Sequence, residues 1–165
     1  YGYKDQGETP NTQVATFEYE DGKLLVFEVR GLYTNDEQGA KIGNLVYGLL
    51  GYMSSGDGYK ARRSPTEELP PNENLKLEPL EGTGEDNHYR NFIQAVRSRR
   101  WQDLHCDVAE GVISAQLCHL ANISYRLGRS LRFDPVRKQF VGDKEANAML
   151  RRARQVKGFE IPERV

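Results

Sequence analysis

The hydrophobic pattern of this chain changes its period part-way along, and that change restricts the fold more than any other feature. Up to about Arg63 apolar residues alternate with polar ones, the period of a half-buried strand. From about Tyr89 onward they recur at helical spacing, as on a helix with one apolar side. Strands first and helices afterwards predict an α+β fold: an open, predominantly antiparallel β-sheet with helices packed on one face. No internal repeat or low-complexity tract interrupts the 165 residues, so 1–165 reads as a single domain.

The strand half opens with Thr12 to Tyr19, rich in β-branched and aromatic residues. Glu20-Asp21-Gly22-Lys23 follows, and Leu24 to Arg30 returns. Asp-Gly between two apolar runs signals a hairpin, because glycine takes a positive φ without a Cβ clash. In the return strand Leu25, Phe27 and Val29 share one face, while Leu24, Val26, Glu28 and Arg30 share the other. A mixed face that ends in a carboxylate and a guanidinium is half-wet, which suits a ligand or a partner. Further strands are expected at Lys41 to Gly48, Leu50 to Ser54 and Tyr59 to Arg63, with Ser55-Gly56-Asp57-Gly58 as a turn. Ser64 to Asn74 holds Pro65, Pro70 and Pro71 among acids, so 64–74 is expected to be a mobile loop. Leu75 to Leu80 alternates as one more edge strand, and the hairpins together suggest one extended sheet.

In the helical half, Asp86 or Asn87 is placed to cap a helix running to about Arg99. Tyr89, Phe92, Ile93 and Val96 form its expected core stripe. Arg97, Arg99 and Arg100 crowd its end, where cations oppose the partial negative charge of free carbonyls. Asp107, with Glu110 three residues on, starts a second helix in the manner of a capping box. Ile113, Leu117, Leu120 and Leu127 carry its stripe, and Gly128 suits a C-terminal cap. Leu131 to Val141 reads as strand-like or irregular, and Asp143 is placed to cap a last helix from Lys144 to about Val156.

The same residues argue against several function classes. A net charge of −1 gives no general attraction for nucleic acid or an anionic membrane, and acidic neighbours offset the basic runs Arg97 to Arg100 and Arg151 to Arg154. The longest apolar run, Leu45 to Met53, is broken by Gly48 and Gly51 and falls short of the roughly 20 residues of a membrane helix. Cys106 and Cys118 stand about twelve residues apart near one helix, a rise of ~18 Å. That exceeds disulfide reach, so free thiols are expected. His105-Cys106 and Cys118-His119 lack the spacing of a structural zinc site, and no metal ligand is assigned. Gly56-Asp57-Gly58-Tyr59-Lys60-Ala61 matches a dinucleotide fingerprint on paper. The fingerprint needs a helix N-terminus after the turn. Arg62-Arg63-Ser64-Pro65 carries no helical stripe, so the string reads as a hairpin turn, and no cofactor-binding residue is assigned. Asn122-Ile123-Ser124 is a glycosylation sequon, discounted because it falls mid-helix. The start at Tyr1, without a leader pattern, fits a fragment of a longer protein and leaves its localisation open.

Two residues stand out as substrate-contact candidates. His88 follows Gly84-Glu85-Asp86 at a helix start, placed to hydrogen-bond a sugar hydroxyl or to bond the preceding loop. Arg30, on the half-wet face, is placed to bind a carboxylate or to pair with Glu28 or a neighbouring strand. Glu85, Asp86 and His88 also outline a stand-alone carbohydrate hydrolase. Adjacent carboxylates on one loop do not give the opposed pair, roughly 5–9 Å apart, that such chemistry needs.

The strings Asp5 to Thr12, Phe27 to Leu32, His88 to Arg99, Ser114 to Arg129 and Phe140-Val141-Gly142-Asp143, in that order, resemble the C-terminal domain of bacterial Gfo/Idh/MocA oxidoreductases. The resemblance covers nearly the whole chain. It implies an N-terminal Rossmann domain in the parent, binding NAD or NADP, and hydride transfer on a sugar, polyol or related molecule. The family's Glu-Lys-Pro motif, with its catalytic lysine, and a further Asp and His motif do not occur here, so no catalytic residue is carried over. The resemblance further implies that the open sheet face helps to form the substrate pocket and packs against another subunit. The expected partners are therefore the Rossmann domain, a second copy and a sugar-like small molecule, with no nucleic acid and no membrane. The alternative is a purely structural self-association module.

Overall fold

The computed structural model describes residues 2–32, 35–55, 60–70, 87–151 and 156–159. Strands β1 (Thr12–Glu18) and β2 (Leu24–Arg30) form an antiparallel hairpin in register from Thr12↔Arg30 to Glu18↔Leu24. Its turn is the expected one: Gly22 takes φ 80°, its N–H bonds Tyr19 O at 2.9 Å, and Asp21 Oδ1 accepts from Lys23 N at 3.1 Å. The register puts Thr12, Val14, Thr16 and Glu18 on the face of Leu24, Val26, Glu28 and Arg30. Val14, Leu24 and Val26 are 63%, 64% and 57% exposed, whereas on the opposite face Gln13, Ala15, Phe17 and Val29 are half-buried and Leu25 and Phe27 are 39% and 37% exposed. The half-wet face is thus the open one.

Strands β3 (Leu45–Tyr47), β4 (Tyr52–Ser54), β5 (Ala61–Ser64) and β6 (Glu67–Glu68) form an antiparallel sheet in sequence order. β3 is shorter than Lys41 to Gly48 because its neighbours turn inward: Asn44 N bonds Ser55 Oγ at 2.9 Å, and Gly48 N bonds Gly51 O at 2.8 Å. Gly51 permits the β4–β5 approach, since a Cβ there would overlap the Arg62 carbonyl oxygen. The stretch expected as a loop begins instead as strand. Ser64 closes β5 and Glu67–Glu68 folds back on it, helped by an Arg63–Glu67 ion pair at 2.8 Å. The later part of that stretch, 71–74, and the expected edge strand, 75–80, lie outside the described residues.

Helices α1 (Asn87–Ser98), α2 (Val108–Leu127) and α3 (Lys144–Ala148) follow, with a 3₁₀ turn at Trp101–Asp103. Asp107 caps α2 by accepting from Ala109 N at 3.2 Å. Gly128 ends it at φ 66°, its N–H bonding Ser124 O at 2.9 Å. Strands β7 (Phe133–Asp134) and β8 (Gln139–Phe140) pair between α2 and α3. Ile123, Phe140 and Ala146 form the buried core, against which Leu120, Leu127, Leu131, Phe133 and Met149 pack. Helices α2 and α3 therefore cover the β7–β8 hairpin, and the fold is α+β with antiparallel sheets. Among the described residues the strands form three sheets rather than one extended one. Every pairing joins strands adjacent in sequence, and those after β2 are too short to present long edges to another hairpin.

Three helical expectations are corrected. The α1 stripe is no core: Tyr89, Phe92, Ile93 and Val96 are all exposed, and Ala95 and Asn91 are the buried residues. Ile113 is exposed too, so the α2 stripe is covered only from Leu117 onward. Helix α3 stops at Ala148, because Met149 N and Leu150 N bond back three residues, to Ala146 O and Asn147 O.

Candidate functional site

Arg30 ends β2 and is held from several sides. Its Nε donates to Glu28 Oε1 at 2.6 Å, its Nη2 to Glu37 Oε1, and its Nη1 to Asn35 Oδ1 at 3.4 Å. Glu37 and Ala40 close a tight turn in which Gln38 and Gly39 take φ 46° and 79°. Gln38 Oε1 accepts from Tyr52 Oη at 3.0 Å. Arg30 thereby ties the end of the hairpin to the turn that β4 also touches. Its hydrogen bond holds the Glu28 carboxyl below the usual carboxylate range, and Glu28 and then Glu37 push the guanidinium upward in return. The result is a fixed guanidinium flanked by carboxylates.

The segment before β1 lies alongside. Asn11 Nδ2 donates to Tyr3 O at 2.8 Å and to Asp5 Oδ2 at 2.9 Å, while its Oδ1 accepts from Gly2 N at 2.8 Å. Asn11 O accepts from Gly31 N at 2.8 Å, directly after Arg30. A Cβ on Gly31 would sit 2.7 Å from that oxygen, so the close approach requires glycine. Arg126 Nη2 on α2 donates to Glu8 O at 2.7 Å, which fastens this segment to the helical half.

His88 stands exposed in the first turn of α1, its ring edge-on to Tyr89 with centroids 6.1 Å apart. The loop before it, 84–86, lies outside the described residues. Among the described residues no hydrogen bond or ion pair joins His88 to Arg30. Beside α1 runs a shallow groove of about 220 Å³ lined by Phe92, Ala95, Val96, Arg99, Trp101 and Leu104. Asn91 builds it: Nδ2 donates to Asp103 O at 2.6 Å and Oδ1 accepts from His105 N at 3.0 Å, clasping the 3₁₀ turn to the helix. Sequence reasoning passed over Asn11 and Asn91. The one signal for Asn91 was a polar residue between the apolar positions Tyr89 and Phe92.

Among the described residues no group of three or more His, Cys, Asp or Glu is arranged to hold a metal, and Cys106 and Cys118 are free and exposed. No described helix is long and apolar enough to cross a membrane. Nor does the described end of the glycine string fit a nicotinamide dinucleotide. Ala61 opens strand β5, where a phosphate cradle needs a helix N-terminus.

A family model described as "Oxidoreductase family, C-terminal alpha/beta domain", of the Gfo/Idh/MocA group, matches residues 49–159. The chain belongs to the Gfo/Idh/MocA oxidoreductases, as their C-terminal domain. No curated protein and no solved structure matches it significantly. The matched span contains three of the strings that carry the resemblance: His88 to Arg99, Ser114 to Arg129 and Phe140 to Asp143. In this Gfo/Idh/MocA domain the last string has a clear structural purpose. Phe140 fills the core, Gly142 turns at φ 69°, and Asp143 caps α3 through Ala146 N at 3.0 Å while pairing with Arg129 at 2.8 Å. Family membership implies an N-terminal Rossmann domain in the parent protein.

Proposed function

We propose that this domain supplies the substrate-side wall and a subunit contact to an NAD- or NADP-dependent oxidoreductase acting on a sugar, polyol or related alcohol, and that it is inactive alone. The family match over 49–159 carries the reading. Two features of the chain support it. Arg30 is a rigidly held guanidinium at the rim of an open sheet face, and His88 presents an imidazole free of other described polar contacts. Both are substrate-contact candidates: His88 is placed to hydrogen-bond a hydroxyl oxygen, while Arg30, already bonded to Glu28, Glu37 and Asn35, presents a fixed positive charge at the rim. The redox step belongs to the nucleotide-binding domain. Titrating NADH and NADPH against the isolated chain tests this. The expected result is no stoichiometric binding, and clear binding to this chain alone would overturn the proposal.

The alternative, a self-association module without a substrate role, draws on the exposed apolar faces of β2 and α1. Steady-state kinetics on the parent enzyme separate the two readings. Under the substrate-wall reading His88→Ala raises KM for the alcohol substrate, whereas a pure association module leaves KM unchanged.

A further inference from the structure

We infer that the groove between α1 and the 3₁₀ turn binds a small amphipathic carboxylate, whose one ring or short chain lies against Phe92, Val96 and Trp101 and whose carboxylate pairs with Arg99. Neither Arg30 nor His88 lines this groove, so the site is additional to the substrate contacts proposed above. Its walls are held in place. Asn91 clasps the turn through Asp103 O and His105 N, and Ser98 Oγ donates to Asp103 Oδ2 at 3.2 Å. Ala95 is buried in the groove, while Phe92, Val96 and Trp101 stay exposed.

Arg99 is the residue that calls for a ligand. Helix α1 ends at Ser98, and Arg99, whose N–H still bonds Ala95 O at 2.9 Å, takes φ 58°. Helices commonly end on a left-handed residue, but that residue is usually glycine, which has no Cβ to clash. An arginine there is strained, and it lines the groove. Arg97 already stands in the last turn of α1, so opposing the partial negative charge of the helix end does not require Arg99. Arg99 makes no ion pair among the described residues. Asp103, the carboxylate of the turn, is taken by Arg100 at 3.2 Å and by Ser98, and 87–100 contains no Asp or Glu. The groove therefore sets an uncompensated cation beside apolar walls. A carboxylate answers a single guanidinium with two parallel hydrogen bonds. An apolar body answers the rings, which a phosphate group or a bare sugar would leave uncovered. The volume, about 220 Å³, is below the roughly 300–1,000 Å³ of drug-sized pockets, so the ligand is one ring or a short chain. An open groove of that size binds such a molecule with Kd on the order of 1 mM.

Trp101 is the chain's one tryptophan, so its fluorescence reports on the groove. The full chain is titrated with phenylbutyrate, with phenylbutanol (the same body without the charge) and with acetate (the same charge without the body). Phenylbutyrate is expected to change the emission saturably, and the other two to need at least about tenfold higher concentration. Arg99→Gly accepts the left-handed backbone without strain. It should leave the melting temperature unchanged or raised while weakening phenylbutyrate binding roughly tenfold. An arginine with only a structural role would do the reverse, moving the melting temperature and not the preference for the acid. Arg99→Gln keeps a polar side chain without the charge and should make the chain bind acid and alcohol alike. Arg97→Gln removes a cation that does not line the groove and should leave binding nearly unchanged, because exposed charges at a distance are screened. The inference is overturned by the absence of any saturable change with phenylbutyrate, or by equal binding of acid and alcohol to the unaltered chain. It is overturned as well if both Arg99 variants bind phenylbutyrate as before, or if Arg97→Gln loses as much as they do. None of these outcomes bears on the NADH and NADPH titration, which judges the functional reading separately.

Discussion

Asn147 lies on a helix of five residues, yet its side chain pairs with a strand. It accepts from Phe140 N at 2.8 Å and donates to Phe140 O and to Asp143 O, each at 2.8 Å. It thus stands in for a neighbouring strand beside a residue that is 2% exposed. Asn147→Ala leaves those backbone groups without partners, and urea melts should show a loss of about 2–3 kcal/mol. Asn147→Asp, which accepts but cannot donate at pH 7, should fall between. Asn11, Asn91 and Asn147 share this behaviour, and none was legible as a functional position, because an amide that braces a backbone looks in sequence like any polar residue. Arg30 was conspicuous as a guanidinium at the end of an apolar strand, and its pairing with Glu28 was one of the two readings of it; its second partner, Glu37, was not legible, because the 35–40 turn folds back through space. The ion pair makes a pH prediction. Glu28 is depressed in the folded chain, so its contribution is present above the ordinary glutamate range and disappears as pH falls through the lowered value. Arg30→Gln should return the Glu28 midpoint to the ordinary range in a carboxyl-detected NMR titration. An unmoved midpoint would mean the pair does not form in solution.

At the scale of elements, what was legible was what local chemistry decides. Asp21-Gly22, Asp107 and Gly128 each act within a few residues, and each does what its position predicts. Assembly was less legible. Periodicity identified α1 and its apolar stripe, but a period reports only that one face is apolar, not what covers it. The hairpins were recognised individually, while their grouping into separate sheets depends on contacts that no local pattern encodes. Glycine placement tests the local part. Gly51→Ala sets a methyl group against the Arg62 carbonyl and should cost about 3 kcal/mol, near the upper end for single substitutions. Gly128→Ala meets no atom within 4 Å and suffers only from the left-handed backbone, about 1–2 kcal/mol. Thermal melts that ranked the two in the opposite order would contradict the close β4–β5 approach. The face assignment of β2 makes a different contrast. Val26→Asp should reduce association with little change in melting temperature, because its face is open. Phe27→Asp should lower the melting temperature, because it places a carboxylate on the better-covered face.

For the whole molecule, burial is the informative quantity. Among the described residues the buried hydrophobic side chains are Ala95, Ala121, Ile123, Phe140 and Ala146. The buried core is correspondingly small, centred on Ile123, Phe140 and Ala146. Apolar side chains on β2, on α1 and on the first half of α2 remain uncovered. Such exposure destabilises an isolated domain through poor burial and favours whatever partner covers it. This is the level at which the sequence was legible in one respect and silent in another. The order of its strings pointed to the family, while none of those strings is a catalytic signature. The uncovered surface makes the division of labour measurable. An environment-sensitive apolar dye such as ANS should bind the dilute isolated chain and fluoresce strongly. Adding the nucleotide-binding half of the parent, or raising the chain to concentrations at which it self-associates, should displace the dye. The two additions are distinguishable, because Val26→Asp should block displacement by self-association. If the dilute chain left the dye dark from the start, its apolar faces would already be covered within one copy, and the need for a partner would fall with them.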